Sequence, residues 1–114
     1  MKPDGERIGR FAEMFAALGT GPRLRIVRLL LSAHPEGMVV SDIQAHLKIA
    51  PSTLSHHLEK LRHQHLVKVR RDRQFLWYSA DSQALRELLA FLYEECCSRG
   101  GAVTVESIVE ACRK

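Results

Sequence analysis

Long hydrophobic runs are missing from this chain. No apolar stretch exceeds a few residues, and the N-terminal MKPDGERIGR has no hydrophobic segment behind its charges. Neither a membrane span nor a secretory signal is therefore expected, and the reading is cytoplasmic. Cysteine is scarce as well. Three residues, two of them adjacent, make a poor disulfide framework, because the count is odd and a bridge between neighbours closes a strained ring. In a reducing compartment they stand as free thiols suited to soft-ion chemistry. The chain also lacks a Gly-rich phosphate loop, a metallohydrolase spacing and a nucleophile elbow, so no enzyme and no required cofactor are expected. Repeats, low-complexity tracts and long linkers are absent too, which leaves one domain over residues 1–114.

What is present is an ordinary globular balance with a basic bias. Hydrophobic residues make up 46% and charged ones 26%, while 17 Lys and Arg against 13 Asp and Glu give a net charge of +4. That sign favours polyanionic partners, although balance alone does not establish one. Ile8, Phe11, Phe15 and Leu18 recur at helical spacing up to the break Gly19-Thr20-Gly21-Pro22, and Pro22 suits the first turn of a second helix carrying Leu24, Val27, Leu30 and Leu31. His34-Pro35-Glu36-Gly37 punctuates. Ser41-Asp42 lies near the start of a short third helix with Ile43 and Leu47, and a fourth runs from Pro51 to about Gln64.

The period then changes. LVKVRRDRQFLWYS, over 66–79, alternates apolar and polar residues around Arg71-Asp72-Arg73, the pattern of an antiparallel hairpin. After Asp81, a plausible N-cap, Leu85, Leu88, Leu89, Leu92 and Cys96 trace one face of a long helix that reaches Cys97 before Gly100-Gly101. Val105, Ile108 and Val109 leave room for a further short terminal helix. The order ααααββα predicts a mainly α fold with a small β-hairpin, a winged helix-turn-helix.

The fourth helix carries the functional detail. At about 100° per residue, Leu54, Leu58 and Leu61 share one side, while Ser52, Thr53, His56, Lys60 and His63 fall opposite, with Ser55 between. Such a helix anchors by its apolar face and offers hydroxyls, imidazoles and a cation to phosphates and base edges in a major groove. A hairpin tip with Arg70, Arg71 and Arg73 would set guanidinium groups beside the duplex. A polar helix face is more often merely solvated, and an Arg-rich turn merely soluble; the two in this order are the stronger signal.

The stretch PSTLSHHLEKLRHQHLVKVRRDRQFLWYSA resembles the recognition helix and wing of the ArsR/SmtB family of metal- and metalloid-responsive repressors, and Leu18 through Leu31 resembles the family's second helix. The sharpest matches are Ser52, Ser55, His56, Leu58 and Leu61, followed by Leu66-Val67 and then Arg73 and Tyr78. The resemblance implies DNA contact by Ser52, Ser55 and His56. The chain departs from the family at His65, where a Gly usually precedes Leu-Val; a left-handed backbone angle is harder for His, so a reshaped turn is expected there.

The resemblance further implies a homodimer, joined by the first and last helices (5–18 and 81–98), that holds double-stranded operator DNA until an inducer binds. The apolar residues Phe11, Phe15, Leu18, Leu88, Leu92 and Tyr93 are compatible with that, and equally with a monomer core. Among the family's inducer sites, the third-helix Cys-x-Cys has no counterpart at Val39-Val40-Ser41-Asp42. Residues 82–97 hold no His for a zinc site, and 21–33 hold no Cys for persulfide sensing. The similarity that survives is to the arsenic-responsive subgroup with vicinal cysteines at the end of the long helix. It implies that Cys96 and Cys97 bind trivalent arsenic, with Cys112 of the same or the other subunit as third thiolate. A two-thiol site would instead suit methylarsenite, and antimonite is a natural competitor. Two alternatives stay open: a thiol redox switch, and a winged-helix module serving only protein interactions.

Overall fold

The periodicities translate into five helices and three strands in the computed structural model, which describes residues 4–95. In chain order these are α1 (Asp4–Leu18), α2 (Gly21–Ser32), β1 (Met38–Val39), α3 (Val40–Leu47), α4 (Pro51–His63), β2 (Val67–Asp72), β3 (Phe75–Ala80) and α5 (Ser82–Tyr93). The antiparallel sheet has the order β1-β3-β2. The winged helix-turn-helix expectation holds, with one strand more than the sequence suggested.

Local chemistry sets the element ends. Thr20 caps α2, its Oγ1 accepting from the Arg23 N–H at 3.3 Å, and Pro22 occupies the first turn. Asp81 caps α5 by accepting from the Ala84 N–H at 3.0 Å, as its position before the leucine pattern implied. The turn between α3 and α4 opens with Lys48 in the left-handed region (φ 57°) and closes on Pro51 at the start of α4.

The end of α4 corrects the expectation of a reshaped turn. His65 adopts φ 62°, the angle expected of a glycine. The His65 N–H reaches the Arg62 carbonyl at 3.0 Å, and the Leu66 N–H reaches the Leu61 carbonyl at 3.0 Å, the paired bonds of a Schellman motif. With Leu66 fully buried just beyond, burial and two backbone hydrogen bonds hold the imidazole-bearing residue in place.

Ile26, Leu30, Ile43, Leu54, Leu58, Leu61, Leu66 and Leu88 have essentially no solvent exposure and form the centre of the core. α2 runs through it, packing against α1, α3, α4 and β3. Burial of each large aliphatic is worth about 2 kcal/mol. α1 contributes Phe11, Met14 and Ala17, and Phe11 stacks on Phe91 of α5 with ring centroids 4.4 Å apart. Phe11 and Leu88 are thus core residues of one chain, while Phe15 and Leu18 pack partly buried at its edge. Ile8, Leu89, Leu92 and Tyr93 stay exposed.

β1 is two residues long and pairs Met38 with Tyr78 and Val39 with Trp77. Gly37 makes that approach possible: it adopts φ 84°, and a Cβ there would lie 1.9 Å from the Tyr78 carbonyl oxygen.

Candidate nucleic-acid interface

α4 presents the two faces its sequence implied. Leu54, Leu58 and Leu61 are buried, whereas Ser52, Thr53, Ser55, His56, Lys60 and His63 are exposed. The buried leucines fix the rotation of the helix, so the polar rim is aimed by the core beneath it. Glu59 belongs to this rim as well, which the two-face reading left out; it falls between Ser55 and His56, one turn further on.

The rim continues into a cleft of about 590 Å³ between α1, the start of α2 and α4, with Glu13, Ala16, Arg23, His56, Lys60 and His63 among its lining. Arg23 was not singled out from sequence. Its Nε donates to Thr20 Oγ1 at 3.2 Å, so the hydroxyl that caps α2 also orients this guanidinium, while the packing of α2 on α4 brings it into the cleft.

Electrostatics differ along α4. Arg62 donates from Nε to Glu59 Oε1 at 3.3 Å and from Nη2 to Oε2 at 2.5 Å. These hydrogen bonds, reinforced by the charges of Arg62 and His63, hold the Glu59 carboxyl below its usual range and keep it anionic. His57 lies toward the core with its Nδ1 buried and unpartnered. Burial, with the charge of Arg23 and the neighbouring His56, pushes its pKa down and favours the neutral ring.

The wing packs its β2 strand against α4. Its turn is Arg73-Gln74, with Asp72 opposite Phe75 as the last pair, so Arg70 and Arg71 lie in β2 and only Arg73 sits at the tip. Arg73 has φ 61°, which suits the twist of a two-residue hairpin. Arg70 stacks 5.1 Å over Trp77 and lies 3.9 Å from Asp72, while Arg71 and Arg73 are exposed. Ser52, Thr53, Ser55, His56 and Lys60 are thus gathered on one rim, and Arg71 and Arg73 on the adjoining wing. Cys96, Cys97 and Cys112 lie outside the described residues. Among the described residues, no group of three His, Cys, Asp or Glu could hold a metal ion, and no helix is long and apolar enough to cross a membrane.

Residues 21–69, from α2 into the first strand of the wing, match the model of the bacterial regulatory protein arsR family. The transcriptional repressor SmtB homolog of Synechocystis is 37% identical over 89 residues, 75% of this chain. The chain spans 64–65% of the length of such curated relatives. Among solved structures, NolR from Sinorhizobium fredii is 33% identical with a TM-score of 0.62, covering 90% of this chain and 97% of that one. The homodimeric winged helix-turn-helix DNA-binding domain of Mb0332 from Mycobacterium bovis is 26% identical with a TM-score of 0.67, covering 82% and 84%. With the family match running from α2 into the wing and a solved relative 33% identical and covered over 97% of its length, this chain belongs to the arsR family of bacterial regulatory proteins.

Proposed function

We propose that the chain is a cytoplasmic, homodimeric transcriptional repressor that binds double-stranded operator DNA through α4 and the wing. The observation that carries this reading is the rim of α4, where exposed hydroxyls, imidazoles and Lys60 stand over three locked leucines, with Arg71 and Arg73 exposed on the wing whose β2 strand packs against the same helix. Short side chains at Ser52 and Ser55 let the helix backbone approach base edges, His56 donates to a base or phosphate, and the wing arginines hold register on the backbone. The homodimer of the Mb0332 domain and the exposed Ile8, Leu89, Leu92 and Tyr93 support assembly through α1 and α5. Two α4 helices then read the halves of a palindrome.

The proposed inducer is trivalent arsenic, taken as arsenite by Cys96 and Cys97 with Cys112 as third thiolate, or as methylarsenite by two thiolates. Antimonite would bind the same sulfurs. The thiols follow directly on the part of α5 fastened to α1 by the Phe11–Phe91 stack and the 3.0 Å Arg7–Glu94 ion pair. Capture there would reach the helices of the dimer contact and so alter the spacing of the reading helices.

A mobility-shift assay tests both parts. Ser55→Ala, His56→Ala and Arg73→Ala should each weaken the operator complex; undiminished binding by all three would leave a protein-interaction module instead. Arsenite, methylarsenite, antimonite, zinc, cadmium and peroxide are then titrated onto the complex of the wild type and of Cys96→Ser, Cys97→Ser and Cys112→Ser. Release by arsenicals that is lost in the first two variants is expected. Release by zinc alone defeats the inducer assignment, and release by peroxide without any arsenical favours a redox switch.

A further inference from the structure

Ser52, Ser55, His56 and Glu59 stand at i, i+3, i+4 and i+7 on α4, within an arc of about 100°. That is the spacing at which a helix laid in a major groove brings successive side chains to base edges. Two of the four are hydroxyls, one is an imidazole, and the fourth is a carboxylate. A negative charge at the centre of a surface that approaches a polyanion works against binding, and Coulomb repulsion from phosphates is felt most at low salt. The carboxylate is also held in place, both oxygens accepting from Arg62.

An ionised carboxylate only accepts hydrogen bonds, and its two oxygens offer about four lone-pair sites. Arg62 engages one per oxygen, which leaves acceptor capacity directed away from the guanidinium. In the major groove, guanine shows two acceptors and thymine a carbonyl oxygen and a methyl group, and all of these disfavour a carboxylate. Adenine offers an amino donor beside the N7 acceptor. Cytosine alone offers an amino donor with no acceptor next to it on that edge.

We infer that Glu59 is a specificity-determining residue that accepts a hydrogen bond from the N4 amino group of a cytosine, selecting one C·G pair in each half-site of the operator. The inference rests on the reading of α4 as the DNA-reading helix and names what one of its positions recognises. The Glu59–Arg62 pair sets the direction of the carboxylate, so Arg62 acts as a positioning residue.

Selection from a library of randomised duplexes by the wild type, Glu59→Ala and Glu59→Gln tests it, followed by affinity measurements on the selected site and on copies with single base-pair changes. The wild type should select a C·G pair whose replacement costs about tenfold in affinity. In Glu59→Ala that replacement should cost nothing, preferences at the other positions should persist, and affinity for random duplex should rise as the repulsion is removed. Glu59→Gln should move the preference at the same position toward A·T, because an amide pairs with the adenine N6 and N7. Glu59 is exposed and outside the core, and the persisting preferences elsewhere report that the variants are folded. A Glu59→Ala protein that keeps every wild-type preference overturns the inference while leaving the repressor reading standing. A wild type that binds no duplex overturns both.

Discussion

His65 holds a backbone angle that L side chains avoid, at a cost of about 1 kcal/mol relative to glycine. His65→Gly should accordingly raise unfolding stability by about 1 kcal/mol in urea denaturation, with the fold unchanged. Gly37 is the opposite case. A Cβ at that position meets the Tyr78 carbonyl, so Gly37→Ala should cost about 3 kcal/mol or more, read as a lower denaturation midpoint. His57 ties stability to pH. Its folded pKa lies below the ordinary 6.5, so the unfolded chain binds its proton first. Its contribution is complete above about pH 6.5 and is lost as pH falls through that value toward the folded pKa. Replacing His57 with Gln should flatten the part of the stability profile just below pH 6.5; an unaltered profile would place the dependence elsewhere. The unusual position of His65 was visible in sequence through its neighbours Leu66-Val67. What the neighbours could not reveal is that two backbone hydrogen bonds and the burial of Leu66 would outweigh the strain.

Among the elements, α4 was the most legible, because its leucines recur at the helical period and the core accepts them in that register. Glu59 escaped the two-face division: its importance comes from facing the same way as Ser52 and His56, and a carboxylate in a basic chain reads as solvated. The hairpin was legible in outline, with its turn moved to Arg73-Gln74 by the register that sets Asp72 opposite Phe75. β1 was not legible at all. Two residues carry no period, and their strand state depends on pairing with Tyr78 and Trp77, some forty positions away. The wing supplies a prediction of its own. Arg71→Ala and Arg73→Ala should each lower the salt dependence of operator binding by about one released counterion while leaving sequence preference intact. Fluorescence anisotropy across a salt series measures the slope, and an unchanged slope in both variants would remove the wing from the phosphate contacts.

At the scale of the molecule, the surface left uncovered matters most. Ile8 is 56% exposed and Leu92 59%, both on the paired helices α1 and α5, whereas Phe11 and Leu88 from the same helices are consumed by the core of a single chain. The apolar positions of α1 and α5 therefore divide between monomer core and open surface, a division that periodicity alone could not make. Leu92→Glu should shift the protein toward monomer in sedimentation experiments and weaken operator binding by far more than it lowers stability, which should change by under about 0.5 kcal/mol. A variant that stays dimeric would place the contact on another surface.

The order of the helices and the hairpin, the buried face of α4, the capping roles of Thr20 and Asp81 and the basic character of the wing were all determined by the amino-acid sequence, because each depends on neighbours within a few turns of chain. Tertiary structure alone decided the rest. The third strand, the retained left-handed turn at His65, the guanidinium of Arg23 in the cleft beside α4 and the split of α1 and α5 between core and surface all depend on which distant segments meet. That outcome is set by the free energy of packing the whole core, to which no single stretch of sequence gives access.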